Sequence, residues 1–476
     1  MKKIISLLCV SAIVISTPLT LISCNFNVDR YSKIYVITDG GKLQDRAFNQ
    51  SGFLGGNKFI NKALGKSEEI NVSYAQPTTL TDVPWMYSQA FKHGSKALIL
   101  PGFKHANFID KANEAAKKND GSIVFIDGAS SGLNNTIGLS YRSDISGLWS
   151  GIASIMYLLK TGKPPVLATF GGIPHAFAVD SFMVGFLASV AVYNEMLKDK
   201  SEDSNIMKIA KKFDLKSENM IEAKINNAQA DGYSSSKHGQ WFTDSFDPGK
   251  GSDLSETLLI KNGANIIMPV AGPQTADTLK VLEENKFSGN KFIVGVDTNQ
   301  VEMYDTYSQY FITSAEKDIV GSSALALAHS NVFLSEMIET KDSFGIDQDK
   351  YNEIIDDMGN NLSVTTKTDE GYKNVFTGID DGLITQQEDF LYKNDWRGMD
   401  LWLGGSISKD GNNKINLSQL EVIKDVFKSA SLEASKNYFD YVSIPGNGVP
   451  SKTLSKIRIT EYSNKVLEIL NLEKKL

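Results

Sequence analysis

Gly94-Ser95-Lys96-Ala97-Leu98-Ile99-Leu100-Pro101 runs into Gly102, and Gly263-Ala264-Asn265-Ile266-Ile267-Met268-Pro269 leads on to Gly272. Each has a turn glycine, a short apolar run and a second glycine. Apolar runs of this length between turn signals read as strands buried on both faces. Downstream of each lies another apolar run that ends in aspartate, at Asp127 and Asp297, and both are 25 positions beyond the second glycine. Upstream, residues 34–38 enter Asp39-Gly40-Gly41, and residues 166–169 enter Phe170-Gly171-Gly172. Three matches in the same order predict two lobes of one doubly wound α/β type. Ligands of such sheets bind beyond the carboxyl ends of the strands, and the residues just quoted stand at those ends.

Between the strands the pattern alternates with helices, as parallel α/β units require. The halves differ in length through an insertion near residues 194–233. Residues 319–338 read as an apolar helix, 375–384 as a returning strand, and the tail as helices near 417–435 and 460–472. The expected organisation has a first lobe of 33–140 plus 298–340. A second lobe comprises 141–297 plus 374–476 with the tail, and a polar insertion covers 341–373.

The N-terminus reads separately. Lys2 and Lys3 precede an uncharged, mostly apolar run from 4 to 23, the layout of a secretory signal. That run ends in Leu21-Ile22-Ser23-Cys24, which resembles a bacterial lipobox. The expectation is a signal peptide over 1–23, a lipid on Cys24 and a tether over 24–32, on the extracytoplasmic face of the cell membrane. The two cysteines are Cys9 and Cys24, so the mature chain has no thiol left for an internal disulfide. No later stretch reads as apolar enough to cross a membrane.

The chain has 476 residues and a net charge of -7. Without a long basic patch, this does not suggest nucleic-acid binding. There is no phosphate-binding loop, because Thr161-Gly162-Lys163 runs into Pro164. The five histidines lack metal-ligand spacing. The segment from Asp410 to Glu421 has some calcium-loop oxygens, but Ile415 occupies the position of the turn glycine. It reads as a polar turn before a helix.

The motif Asp39-Gly40-Gly41-Lys42-Leu43-Gln44-Asp45-Arg46-Ala47-Phe48-Asn49-Gln50, with Gly55 on the same helix, resembles the opening of the basic membrane protein family of substrate-binding lipoproteins. The similarity extends through Phe125-Ile126-Asp127, Phe246-Asp247-Pro248, Val270-Ala271-Gly272, Val294-Gly295-Val296-Asp297 and Ser314-Ala315-Glu316-Lys317. It continues weakly to Gly378 and Asp381-Gly382-Leu383-Ile384. The resemblance implies a type I periplasmic-binding-protein fold, two Rossmann-like lobes joined by three crossings. It further implies a monomer without enzymatic activity or cofactor, which captures a nucleoside, a purine nucleoside in that family's pattern, for an ABC-type permease in the same membrane. Carried over by position, Phe48 and Phe246 would stack on the base. Asp39 and Asn49 would bond its edge, and Asp127, Gly272, Asp297 and Lys317 would hold the ribose.

The residue types suit that ligand. Stacking a base on an aromatic ring contributes about 1–3 kcal/mol, and hydrogen bonds from hydroxyls to a carboxylate about 1.5–3 kcal/mol. Other readings stand beside it. Each aspartate could cap the following helix, Phe48 could be a core residue, and Trp241 or Phe242 could replace Phe246. Asp45 reads as structural, near the N-terminus of the first helix. A sugar-binding lipoprotein and a surface adhesin are the alternative functions.

Overall fold

A computed structural model describes residues 33–63, 72–130, 132–333, 364–368, 371–376, 396–398, 400–409 and 411–473. The signal, the tether, Cys24, most of the 341–373 insertion and the 378–384 motif lie outside them.

The first sheet contains β1 (Ile34–Ile37), β2 (Val72–Ala75), β3 (Ala97–Pro101), β4 (Ser122–Ile126) and β5 (Thr136–Tyr141). The second contains β6 (Val166–Gly171), β7 (Lys224–Ile225), β8 (Ile266–Val270), β9 (Phe292–Asp297) and β10 (Phe311–Glu316). The orders are β2-β1-β3-β4-β5 and β7-β6-β8-β9-β10, all parallel. These are the same doubly wound order twice, which makes this a type I periplasmic-binding-protein fold. The short β7 is the counterpart of β2 and lies inside the 194–233 insertion.

The strands are apolar because both sheet faces are covered. On β1, Ile34 and Val36 join one core and Tyr35 and Ile37 the other. The first core is closed by α1 (Phe48–Lys58) and a helix from later in the chain, the second by α2 (Val83–Lys92) and α3 (Ile109–Lys118). In the second lobe, α4 (Ser143–Lys160), α5 (Ser181–Met196) and α6 (Asn205–Lys212) cover one face. The opposite face carries α7 (Ser252–Glu256), α8 (Thr275–Glu284) and α9 (Gln300–Met303). The later helix on the first lobe is α10 (Ile319–Ala328), packed on α1.

The lobe boundaries expected from sequence need correction. Residues 311–316, assigned above to the first lobe, form β10 and complete the second sheet beside β9. The chain crosses back only after Lys317. Of the residues expected in the polar insertion or, from 374 on, in the second lobe, those described here supply β11 (Val364–Thr368), β12 (Gly371–Phe376) and β13 (Asp400–Leu403) to the first sheet. Then β14 (Ser406–Ile407) returns to the second. The crossings therefore fall at 141–143, 316–319 and 403–406. Ser146 fastens them. Its hydroxyl donates to the Glu316 carbonyl (2.7 Å) and accepts the Ser406 N–H (3.1 Å), while the Arg142 N–H donates to the Leu403 carbonyl (2.8 Å).

The tail is part of the second lobe's core. Its helices α11 (Leu417–Val442) and α13 (Lys456–Glu473) pack on α4 and α5, and α12 (Pro450–Thr453) packs on the helical turn Ala176–Asp180 that leads into α5. This explains α5, which is apolar on every side. Residues Ala176–Met196 are long and apolar enough to cross a membrane, contrary to the expectation above, yet they are buried inside the protein. A helix apolar all round in a folded lobe is a core helix.

Candidate functional site

All eight residues singled out from the sequence line one cleft of about 620 Å³ between the lobes. That is within the usual range for small-molecule pockets, about 300–1,000 Å³. Asp39, Phe48, Asn49 and Asp127 come from the first lobe. Phe246, Gly272, Asp297 and Lys317 come from the second lobe or the crossing that leaves it.

The electrostatic centre is Lys317, which is 4 % exposed. Its ammonium lies 2.7 Å from Asp127 Oδ2 and 3.2 Å from Asp297 Oδ1, and donates to the Ala178 carbonyl at 3.2 Å. Burial pulls the lysine toward neutrality, but the two carboxylates outweigh it and hold its pKa above the ordinary value. Burial pushes Asp127 up to about 6, against the pull of Lys317. Lys317 also stands over the Phe48 ring at 5.2 Å and the Phe182 ring at 5.1 Å. Asp127 and Asp297 share a second feature: both have left-handed backbones, with φ of 59° and 67°. Aspartate is among the few residues that tolerate this conformation, and such strain concentrates at functional sites.

Phe48 and Asn49 are held by Asp45 at the head of α1. Its carboxylate accepts the backbone N–H groups of Ala47 (3.0 Å), Asn49 (2.9 Å) and Gln50 (3.1 Å), and the Asn49 amide N–H at 3.0 Å. Those donors belong to the helix start, where a carboxylate is favourable. Asp45 is thus structural, although burial raises it to about 6. Among the described residues the Asn49 side-chain oxygen is buried with no hydrogen-bond partner. Asp39, at the end of β1, is raised by burial, while Lys104 pulls it down by charge and by its backbone N–H.

Gly102 presses on this carboxylate. Its φ is +117°, and a side chain there would overlap the Asp39 carboxyl group. Gly102→Ala is expected to lower folding stability by at least about 1 kcal/mol, since it combines a strained φ with overlap. A urea midpoint equal to that of the unsubstituted protein would refute this. Gly172 serves Phe246 similarly, because a Cβ there would meet that ring. Gly272 differs. Its φ is +46°, but a Cβ would make only an ordinary contact with Ala47, so backbone conformation, not space, calls for glycine.

Trp241 and Phe242 are buried in the second lobe's core, and Phe246 is the aromatic that reaches the cleft. Sequence reasoning missed Arg46, Phe103, Lys104 and Tyr304, which also line it. Arg46 lies over the Tyr304 ring at 5.2 Å, a contact between lobes. The position of Phe103 directly after Gly102 was the available signal for that residue.

Residues 234–349 match the family model of PnrA-like ABC transporter substrate-binding proteins. That segment holds Phe246, Gly272, Asp297 and Lys317. No curated protein sequence matches the chain. A solute-binding protein of an ABC transporter system from Aeropyrum pernix K1 is 16 % identical, with 93 % of this chain and 92 % of that one covered and a TM-score of 0.49. An ABC transporter solute-binding protein from Burkholderia graminis C4D1M, in complex with D-arabinose, is 12 % identical over 66 % of this chain and 92 % of that one, with a TM-score of 0.40. One from Actinobacillus succinogenes 130z with bound D-allose is 14 % identical over 65 % and 92 %, with a TM-score of 0.39. Residues 234–349 are thus similar to the PnrA-like ABC transporter substrate-binding proteins, and the two doubly wound lobes give the chain the type I periplasmic-binding-protein fold.

Proposed function

We propose that this protein captures purine nucleosides outside the cell membrane, anchored there by a lipid on Cys24, and hands them to an ABC-type permease. It carries out binding rather than catalysis. The observation that carries this reading is the convergence of eight residues on one cleft, with an aromatic from each lobe and a buried lysine between two aspartates. Phe48 and Phe246 offer flat faces to a base. Asp39 and the unpartnered oxygen of Asn49 face its edge as acceptors. Asp127 and Asp297 accept ribose hydroxyls, and Lys317 donates to ribose oxygens while neutralising both carboxylates.

The test is calorimetry of the purified protein with guanosine, inosine, adenosine and free ribose, alongside mass spectrometry of small molecules released on denaturation. Nucleosides are expected to bind and ribose far more weakly, because ribose has no face to stack. Phe246→Ala is expected to weaken nucleoside binding by about 1–3 kcal/mol, one to two decades in Kd. Competition by ribose, arabinose or allose as strong as that by nucleosides would make this a sugar-binding protein. Binding of a host macromolecule with no small solute in the cleft would favour an adhesin. Detergent-phase partitioning unchanged by Cys24→Ala would remove the lipid anchor from the proposal.

A further inference from the structure

Phe103 belongs to the first lobe, directly beyond β3, yet its ring packs against the hydrophobic core of the second. Its nearest ring is His175, beyond β6. The two centroids are 4.2 Å apart with planes at 16°, a stacked pair. The Phe103 ring also meets the Phe246 ring edge-on at 6.1 Å.

His175 is fixed on its own lobe. Its Nδ1 accepts the Ala178 N–H at 3.2 Å, and its backbone N–H donates to Asp180 Oδ1 at 3.2 Å. Behind it stands Phe177 at 6.2 Å, which stacks on Phe439 of α11 at 5.5 Å and meets Trp402 of β13 at 5.7 Å. His175 is therefore the end of an aromatic column that reaches the tail through Phe439 and β13, just before the third crossing, through Trp402. Burial, and secondarily Lys317, lower its pKa to about 4, so it stacks as a neutral ring near pH 7.

We infer that Phe103 and His175 form a latch across the cleft that holds the lobes together and walls the cleft beside Phe246. The two rings reach one another only when the lobes meet. Stacked aromatic pairs contribute about 0.5–1.5 kcal/mol beyond the area they bury. Phe103 is thus a positioning residue: by keeping Phe246 enclosed it slows escape of whatever lies against that ring. The latch does not depend on the ligand being a nucleoside.

The test places spin labels at Asn107→Cys and Lys250→Cys, one on each lobe, in the full chain with Cys9 and Cys24 changed to Ser. Distances are measured with no nucleoside added. With the latch intact a short distance is expected to dominate. Phe103→Ala is expected to add a longer one, His175→Ala to do the same, and His175→Phe to keep the short one. Stopped-flow release of guanosine is expected to quicken about tenfold in either alanine variant, the double variant being no worse than each single. Unchanged distances in both alanine variants would overturn the latch, whether or not guanosine binds. Quickened release with additive effects of the two substitutions would also overturn it, because independent side chains would then be at work. If Phe103→Ala does not fold, His175→Ala decides alone.

Discussion

Lys317→Met is expected to cost about 3–5 kcal/mol of folding stability at neutral pH, the usual penalty for removing one partner of a buried ion pair. Lys317 is the cation between Asp127 and Asp297, and its side chain is 1 % exposed against 6 % and 12 % for theirs. Without it two largely buried carboxylates face each other with no cation between them, which favours protonation of one. The sign of the pH dependence follows. Asp127 already titrates above its ordinary value in the folded protein, and loss of Lys317 lifts it further. A carboxyl raised in the folded state contributes stability below its ordinary pKa and loses it as pH rises through the raised one. The deficit of Lys317→Met should therefore shrink on going from pH 8 to pH 5. Adding Asp127→Asn should recover part of the loss at pH 8, because the orphaned charge disappears. Urea unfolding of all three proteins at both pH values measures this. A Lys317→Met midpoint within the error of the unsubstituted protein at pH 8 would mean the cluster is solvated.

The doubly wound plan is legible because parallel strands buried on both faces appear as unbroken apolar runs. The meeting of the eight candidate residues in one cleft is legible because the carboxyl ends of two such sheets face it, so residues far apart in sequence come together there. Three things were hidden. Phe246 cannot be chosen over Trp241 and Phe242 from sequence, since all three are aromatics in one loop and only packing separates core from cleft. The crossing after β10 cannot be seen, because a short parallel strand looks the same whichever sheet it joins. The Phe103–His175 stack has no local pattern, since it exists only between lobes. The tail was legible as helices but not as core. What it buries is α5, whose uniformly apolar surface requires neighbours on every side.

Buried carboxyls hold the tail to the second lobe. Asp144 of α4 is fully buried and accepts hydrogen bonds from Tyr462 of α13 (2.7 Å) and Ser435 of α11 (2.9 Å). Asp180 is buried in the same lobe and accepts from Thr453 of α12 at 2.6 Å. Each tail helix is thus tied to the lobe through a hydroxyl that donates to a buried carboxyl, and Asp180 also accepts the His175 N–H. Burial raises both from the ordinary 3.8 to about 6, more than the hydroxyl bonds, and for Asp144 the Arg142 charge, pull them down. Raised carboxyls stabilise the fold while protonated, so their contribution is complete below about pH 4 and is lost as pH rises through about 6. Asp144→Asn keeps the shape, and its amide can still accept from one hydroxyl and donate to the other, but it cannot ionise. The variant is therefore expected to show a flatter profile, with a higher urea midpoint than the unsubstituted protein at pH 8 and an equal or lower one at pH 5. Tyr462→Phe should do the opposite. It removes a bond to the ionised form, so its deficit of about 1.5–3 kcal/mol should be larger at pH 8 than at pH 5. If Asp144→Asn lowered the midpoint equally at both pH values, Asp144 would be acting as an ionised acceptor throughout, and the tail would be anchored by charge rather than by a buried acid.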